Sequence, residues 1–105
     1  MKNKNKKTQN KTEIKITTDE AASLYIYATL YFIPRLRKLN EISMSYPSEE
    51  TAESWAEKLD FIANSFEARM ADSYYDLDIQ TQMKVKENAD KAAKMLGEVW
   101  FDLWS

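Results

Sequence analysis

TAESWAEKLDFIANSFEARM, residues 51–70, places apolar side chains at Ala52, Trp55, Ala56, Leu59, Ile62, Ala63, Phe66 and Met70. Steps of three and four are those of one face of an α-helix. The same spacing reaches Tyr74, so the pattern holds for about six turns. Ser48 or Thr51 can cap its start, and Glu49, Glu50 and Glu53 fall in the first turns, where the helix dipole favours anions. A long, strongly periodic helix flanked by two turn-like stretches, Ser43-Met44-Ser45-Tyr46-Pro47-Ser48 and Asp72–Asp78, implies neighbours in a helical bundle.

Working outward, Asp76 or Asp78 caps a further helix with Ile79, Met83, Ala89, Ala92, Ala93, Leu96, Val99, Trp100 and Leu103 on its buried side. Gly97 lies inside it at a cost of about 1 kcal/mol relative to Ala, which suggests close approach of another helix. Upstream, Thr17-Thr18-Asp19-Glu20 is a Thr-x-x-Glu capping box. The helix it opens runs from about Asp19 towards Ser43. Leu24, Tyr27, Ala28 and Tyr31 form one stripe, and Leu30, Phe32 and Ile33 make the helix apolar nearly all round, the mark of a central, covered element. Pro34 crowds the carbonyl of Leu30 and predicts a kink or break near Ile33. Leu36, Leu39 and Ile42 resume the pattern, with Arg35, Arg37 and Lys38 solvated between them. Glu13-Ile14-Lys15-Ile16-Thr17 alternates apolar and charged residues; it could form a short strand but, with no partner strand in view, reads as an extended lead-in packed on the bundle. The fold class is all-α: a three-helix bundle, or a four-helix bundle if Pro34 breaks the first helix.

The chain has 105 residues, enough for one modest domain. Residues 1–12, MKNKNKKTQNKT, hold five lysines and three asparagines and read as a flexible basic tail, leaving 13–105 as the folded domain. One glycine and two prolines argue against a β-rich fold. There is no Cys and no His, which excludes disulfides, thiolate nucleophiles, Cys/His zinc sites and imidazole bases. No cofactor is implied. The Lys-rich start lacks the apolar run of a secretory signal, and Ala21–Pro34 is too short to span a bilayer, so a cytoplasmic location and no membrane association are expected. Net charge is only −2 but uneven: nine bases against three acids in residues 1–40, two against ten in 41–78, four of each in 79–105.

Four constellations bear on chemistry. Glu49-Glu50-x-x-Glu53 and Glu87-x-x-Asp90 resemble the magnesium-binding pattern of the all-α nucleotide pyrophosphatases, an alternative in which facing carboxylates hold Mg²⁺. The first motif sits at a helix start, where acids satisfy the dipole, and no metal site is assigned. Asp72, Asp76 and Asp78 lack the central glycine of a calcium loop and read as turn acids. Lys2, Lys4, Lys6, Lys7 and Lys11 could contact nucleic-acid phosphates without sequence preference, although the folded part is acidic. Tyr25, Tyr27 and Tyr31 could stack on bases, yet their helical spacing makes them core or core-edge residues first. Finally, Glu49, Glu50, Glu53, Glu57 and Asp60 recur along the helix opposite Trp55, Leu59 and Ile62, against a single Lys58. Ordinary solvated charge explains such a face, but a carboxylate stripe on a rigid helix also suits a basic groove on a partner.

From Phe32 to Trp104 the chain resembles a group of small phage and prophage proteins, mostly from Firmicutes. The resemblance rests on Arg35-Leu36-Arg37-Lys38-Leu39, the Tyr46-Pro47 loop, Thr51-Ala52-Glu53-Ser54-Trp55, Leu59-Asp60, Phe66-Glu67 and the aromatic segment Met95–Trp104 closing on Leu103-Trp104. Core packing explains Trp55, Leu59, Phe66, Leu103 and Trp104 equally well. The resemblance implies a phage setting within a bacterial cell and brings no activity with it. Small acidic helical phage proteins often disable a host factor, so the leading expectation is a non-enzymatic accessory protein. It would bind a host or phage protein with a basic surface, as an anti-CRISPR-like inhibitor of a defence nuclease does. The alternative is a nucleic-acid-associated protein using the Lys tail. Monomer and homodimer both remain open, with Trp104 and Tyr75 as candidate exposed aromatics.

Overall fold

Thr17 starts the first helix as its capping box predicts: the Glu20 amide donates to Thr17 Oγ1 at 3.1 Å and the Thr17 amide to Glu20 Oε1 at 3.0 Å. The computed structural model describes residues 15–104. Along them run α1 (Thr18–Ala22), α2 (Leu24–Ile42), α3 (Ala52–Met70) and α4 (Ile79–Glu98), with 3-10 turns at Asp72–Asp76 and Trp100–Asp102. Thr51, not Ser48, caps α3, and Ser54 takes the place of the usual Glu in a reciprocal box with bonds of 3.0 and 2.9 Å. Asp78, not Asp76, caps α4 by accepting from the Thr81 amide at 2.8 Å. The Lys-rich segment 1–12 lies outside the described residues.

The fold is all-α, with three main helices packed together, and α3 in the middle. It lies along α2 on one side and α4 on the other, while α2 and α4 share no comparable interface. One buried cluster joins Leu36 of α2, Trp55, Leu59, Ile62 and Ala63 of α3, Ala92 and Leu96 of α4, and Val99 beyond it. Phe32, Leu39, Phe61, Phe66, Met95 and Leu103 pack around this cluster. Trp100 meets Phe32 edge-on at 5.5 Å between ring centroids, tying the C-terminal turn to α2.

This arrangement corrects several sequence expectations. The interruption of the first helix is at Ser23 (φ −121°, ψ 46°), and α2 continues through Pro34. Proline removes the partner of the Leu30 carbonyl. Leu30 and Pro34 are both exposed, so water can serve that carbonyl, and Arg35 Nη1 donates to the next one, Tyr31 O, at 3.1 Å. Ile33 and Leu36, buried on either side, hold the helix in place. The covered central helix is α3 and not the first helix: Leu24, Tyr25, Tyr27, Leu30 and Tyr31 are all exposed. The cause is length. Leu30 and Ile33 lie beside Met70 and Ala71 at the end of α3, so the turns of α2 before Leu30 outrun that neighbour.

The start of α4 is likewise open, with Ile79 and Met83 exposed, and Ala93, Trp100 and Trp104 also face outward. Tyr74 is buried, but from the 3-10 turn after α3, where its hydroxyl donates to Gln82 O at 3.4 Å. Residues 15–17 of the expected lead-in are exposed and do not pack on the bundle, and Glu13 and Ile14 lie outside the described residues. Arg37 is not simply solvated, since it bridges to α3. Gly97 has no helix near it: a methyl group added there would meet nothing within 4 Å.

Two substitutions with opposite outcomes follow. Gly97→Ala should raise unfolding free energy by about 1 kcal/mol, whereas Ile62→Ala, at a wholly buried position, should cost about 3 kcal/mol. Urea denaturation followed by circular dichroism reads both; a destabilised Gly97→Ala would mean the helix end needs its glycine.

Candidate functional site

Helical geometry brings Glu53, Glu57, Asp60, Asn64 and Glu67 onto one face of α3, because steps of three and four return to the same side. Glu53, Glu57 and Asp60 are exposed. Glu49 and Glu50 are not on the helix: they occupy the turn before it, closed by the Glu50 amide donating to Pro47 O at 2.9 Å. Glu49 stays exposed and accepts from Ser48 Oγ at 3.2 Å.

Glu50 has a different role from its neighbours. Its side chain folds back along α3, accepting from Ser54 Oγ at 2.7 Å and from Lys58 Nζ at 2.5 Å. Only 13% of the Glu50 side chain and 31% of the Lys58 side chain remain exposed. The hydrogen bond from Lys58, seconded by that from Ser54, holds the Glu50 carboxyl below the usual carboxylate range. The five predicted residues therefore divide. Glu50 belongs to the architecture of the helix start, while Glu49, Glu53, Glu57 and Asp60 remain at the surface. Lys58, the one base expected to dilute this surface, is drawn away to Glu50.

The other end of the face is tied to α2. Arg37 donates to Glu67 Oε1 at 2.8 Å, to Glu67 Oε2 at 3.2 Å and to Asn64 Oδ1 at 2.8 Å. The Arg37 bond and charge lower the Glu67 carboxyl pKa. Asn40, one turn along α2, donates to Ala56 O at 3.1 Å and Asp60 Oδ1 at 2.9 Å. This polar seam fixes the register of α2 on α3 beside the apolar cluster. Sequence reading missed both devices. The i, i+4, i+8 spacing of Glu50, Ser54 and Lys58 is a local signal that could have revealed the first. No sequence signal pairs Arg37 with Glu67, because that depends on how two helices dock.

The remaining constellations separate in space or fall outside view. Among the described residues no group of three or more acidic side chains is arranged to hold a metal ion, so Glu49, Glu50 and Glu53 are not brought together with Glu87 and Asp90. Glu87 pairs with Lys84 at 3.2 Å, and Asp90 lines a groove with Arg69 and Lys86. That groove, about 270 Å³, runs between Tyr25 and Thr29 of α2, Phe66 of α3 and Ala89 and Ala93 of α4. Tyr46 and Pro47 share a small cleft with Trp104, which brings two elements of the resemblance together. Lys2, Lys4, Lys6, Lys7 and Lys11 lie outside the described residues. No helix among the described residues is long and apolar enough to cross a membrane.

Glu50, Glu67, Glu41 and Asp78 all titrate below their ordinary values, through Lys58, Arg37, Lys38 and the Thr81 amide respectively. The unfolded chain therefore binds protons more readily than the native state as pH falls. Stability should be complete above about pH 5 and decline through and below the ordinary carboxylate range near pH 4. Thermal melts against pH check this, and Glu50→Gln should flatten part of the decline; a profile unchanged in that variant would contradict the role of the Lys58 bond. Comparison with protein-family models, with curated proteins and with solved structures finds no match for this chain.

Proposed function

We propose that this protein is a non-enzymatic accessory protein of a phage or mobile element that binds a host or phage protein through the acidic face of α3. The observation that supports this most is the disposition of charge at the start of α3. Glu53, Glu57 and Asp60 share one exposed face, Glu49 extends it, and the intervening Lys58 is committed to Glu50. Carboxylates on a helix held by the core present a fixed pattern, so a basic partner meets them with little ordering cost. The fitting partner has a groove rich in Lys and Arg, such as the nucleic-acid channel of a defence nuclease, and occupying it would inhibit that enzyme in the manner of an anti-CRISPR. The resemblance to phage and prophage proteins supports the setting, and a bacterial cytoplasm is the compartment it implies. A binding role also suits a sequence with neither His nor Cys.

Glu50 must be left intact in the test, because its loss would disturb the helix start. The triple variant Glu49→Lys, Glu53→Lys, Glu57→Lys should keep its circular dichroism spectrum and melting temperature. It should lose the proteins that the wild type retains on affinity capture from bacterial host lysate, read by mass spectrometry. Retention by the wild type should also weaken as salt is raised. The same proteins retained by both would refute the assignment of the acidic face.

A further inference from the structure

The first half of α2 poses a question that the acidic face does not answer. The fourteen residues 21–34 carry no charge, yet α3 flanks only the last of them, on one side. Opposite the buried Leu36, one strip of α2 exposes Leu24 (66%), Tyr27 (46%) and Tyr31 (55%), with Leu30 and Pro34 at its border towards the end of α3. Arg35 continues it at one end. Helices that are apolar on all sides are ordinarily covered on all sides, so the strip calls for an occupant.

Charge at its two ends identifies one. Asp19 and Glu20 of α1 lie at the N-terminal end, and Arg35 at the C-terminal end, where Lys38 is already paired with Glu41 at 2.7 Å. Glu20 uses Oε1 for its cap and leaves Oε2 without a partner among the described residues. Asp19 has no side-chain partner there either. Arg35 stacks over the Tyr31 ring at 3.9 Å and donates to the Tyr31 carbonyl, with no carboxylate paired to it among the described residues. A strip that is acidic at one end, basic at the other and apolar between is complementary to itself when turned end for end.

We propose that this strip is the interface of a two-fold symmetric homodimer in which the α2 helices of two copies lie antiparallel. With the axis near Ala28, Leu24 of one copy packs against Tyr31 of its partner, and the two Tyr27 side chains meet beside the axis. Glu20 and Asp19 then stand near Arg35 of the other copy, and symmetry makes each contact twice. The 24, 27, 31 spacing is the three-four step of antiparallel helix seams. Tyrosine suits such a surface, being large, with few rotamers to freeze. Leu24, Tyr27 and Tyr31 with the charged and apolar rim around them expose on the order of 600 Å² per copy, close to the ~1,200 Å² total at which specific interfaces begin. This surface is separate from the face of α3, so the two readings stand or fall independently.

Sedimentation velocity of the full chain, from about 1 to about 200 µM, tests it. The wild type should pass from monomer to dimer within that range. Tyr27→Lys sets two like charges beside the axis and should weaken association at least about tenfold while leaving the circular dichroism spectrum unchanged. Glu20→Lys and Arg35→Glu should each weaken self-association, and mixing the two variants should restore a dimer. The two results together require an antiparallel register, since parallel helices would oppose Glu20 to Glu20 and Arg35 to Arg35 already in the wild type. A wild type that stays monomeric throughout overturns the proposal, as does full association of Tyr27→Lys. Failure of the mixed charge variants to recover association overturns the antiparallel arrangement.

Discussion

Burial of Trp55, Leu59, Ile62 and Ala63 between two flanking helices is the constraint on which the rest of the structure depends. Fully burying such a large apolar side chain contributes roughly 1.5–3 kcal/mol, whereas an isolated helix of this length is marginal in water. Helix α3 is the element that satisfies both faces of its apolar stripe, meeting Leu36 from one side and Ala92 and Leu96 from the other. Helices α2 and α4 bury one face each, against α3, and have no comparable contact with one another. The molecule is thus a bundle organised around a single helix.

Polar groups settle what apolar burial leaves open. Apolar packing alone tolerates sliding of one helix along another; Arg37 gripping Glu67 and Asn64, with Asn40 on Ala56 O and Asp60, does not. Local pairing also decides which charges are left at the surface. Drawing Lys58 to Glu50 rigidifies the start of α3 and removes the base that would otherwise neutralise Glu53 and Glu57. Architecture and surface electrostatics at this end of the helix are therefore one feature, and a partner would meet an acidic face whose backbone is already fixed.

Much of the fold was legible because its signals are local. Helix α3 announced itself through the spacing from Trp55 to Met70, and the caps at Thr17, Thr51 and Asp78 were among the residues that sequence reading offered. What was not legible depends on docking and length. The apolar run from Leu24 to Ile33 reads as a covered helix because periodicity cannot tell where along α3 it docks, and so that its first turns outrun the end at Met70. Pro34 reads as a kink or a break because sequence does not reveal that Leu30 and Pro34 are exposed while Ile33 and Leu36 anchor the helix. The same limit applies to the candidate site. Glu53, Glu57 and Asp60 could be placed on one face from spacing alone, but the inward turn of Glu50 and the capture of Asp60 by Asn40 needed the fold.

The central claim, that α3 anchors the bundle while the first turns of α2 project beyond it, is most directly tested by residue-resolved native-state amide hydrogen exchange at a dilution that keeps the chain monomeric. Amides from Leu59 to Phe66 should exchange slowest, at the rate set by global unfolding, with those near Leu96 close behind. Amides from Tyr25 to Tyr31 should exchange through local fraying and much faster. Protection from Tyr25 to Tyr31 equal to that of α3 would contradict the account.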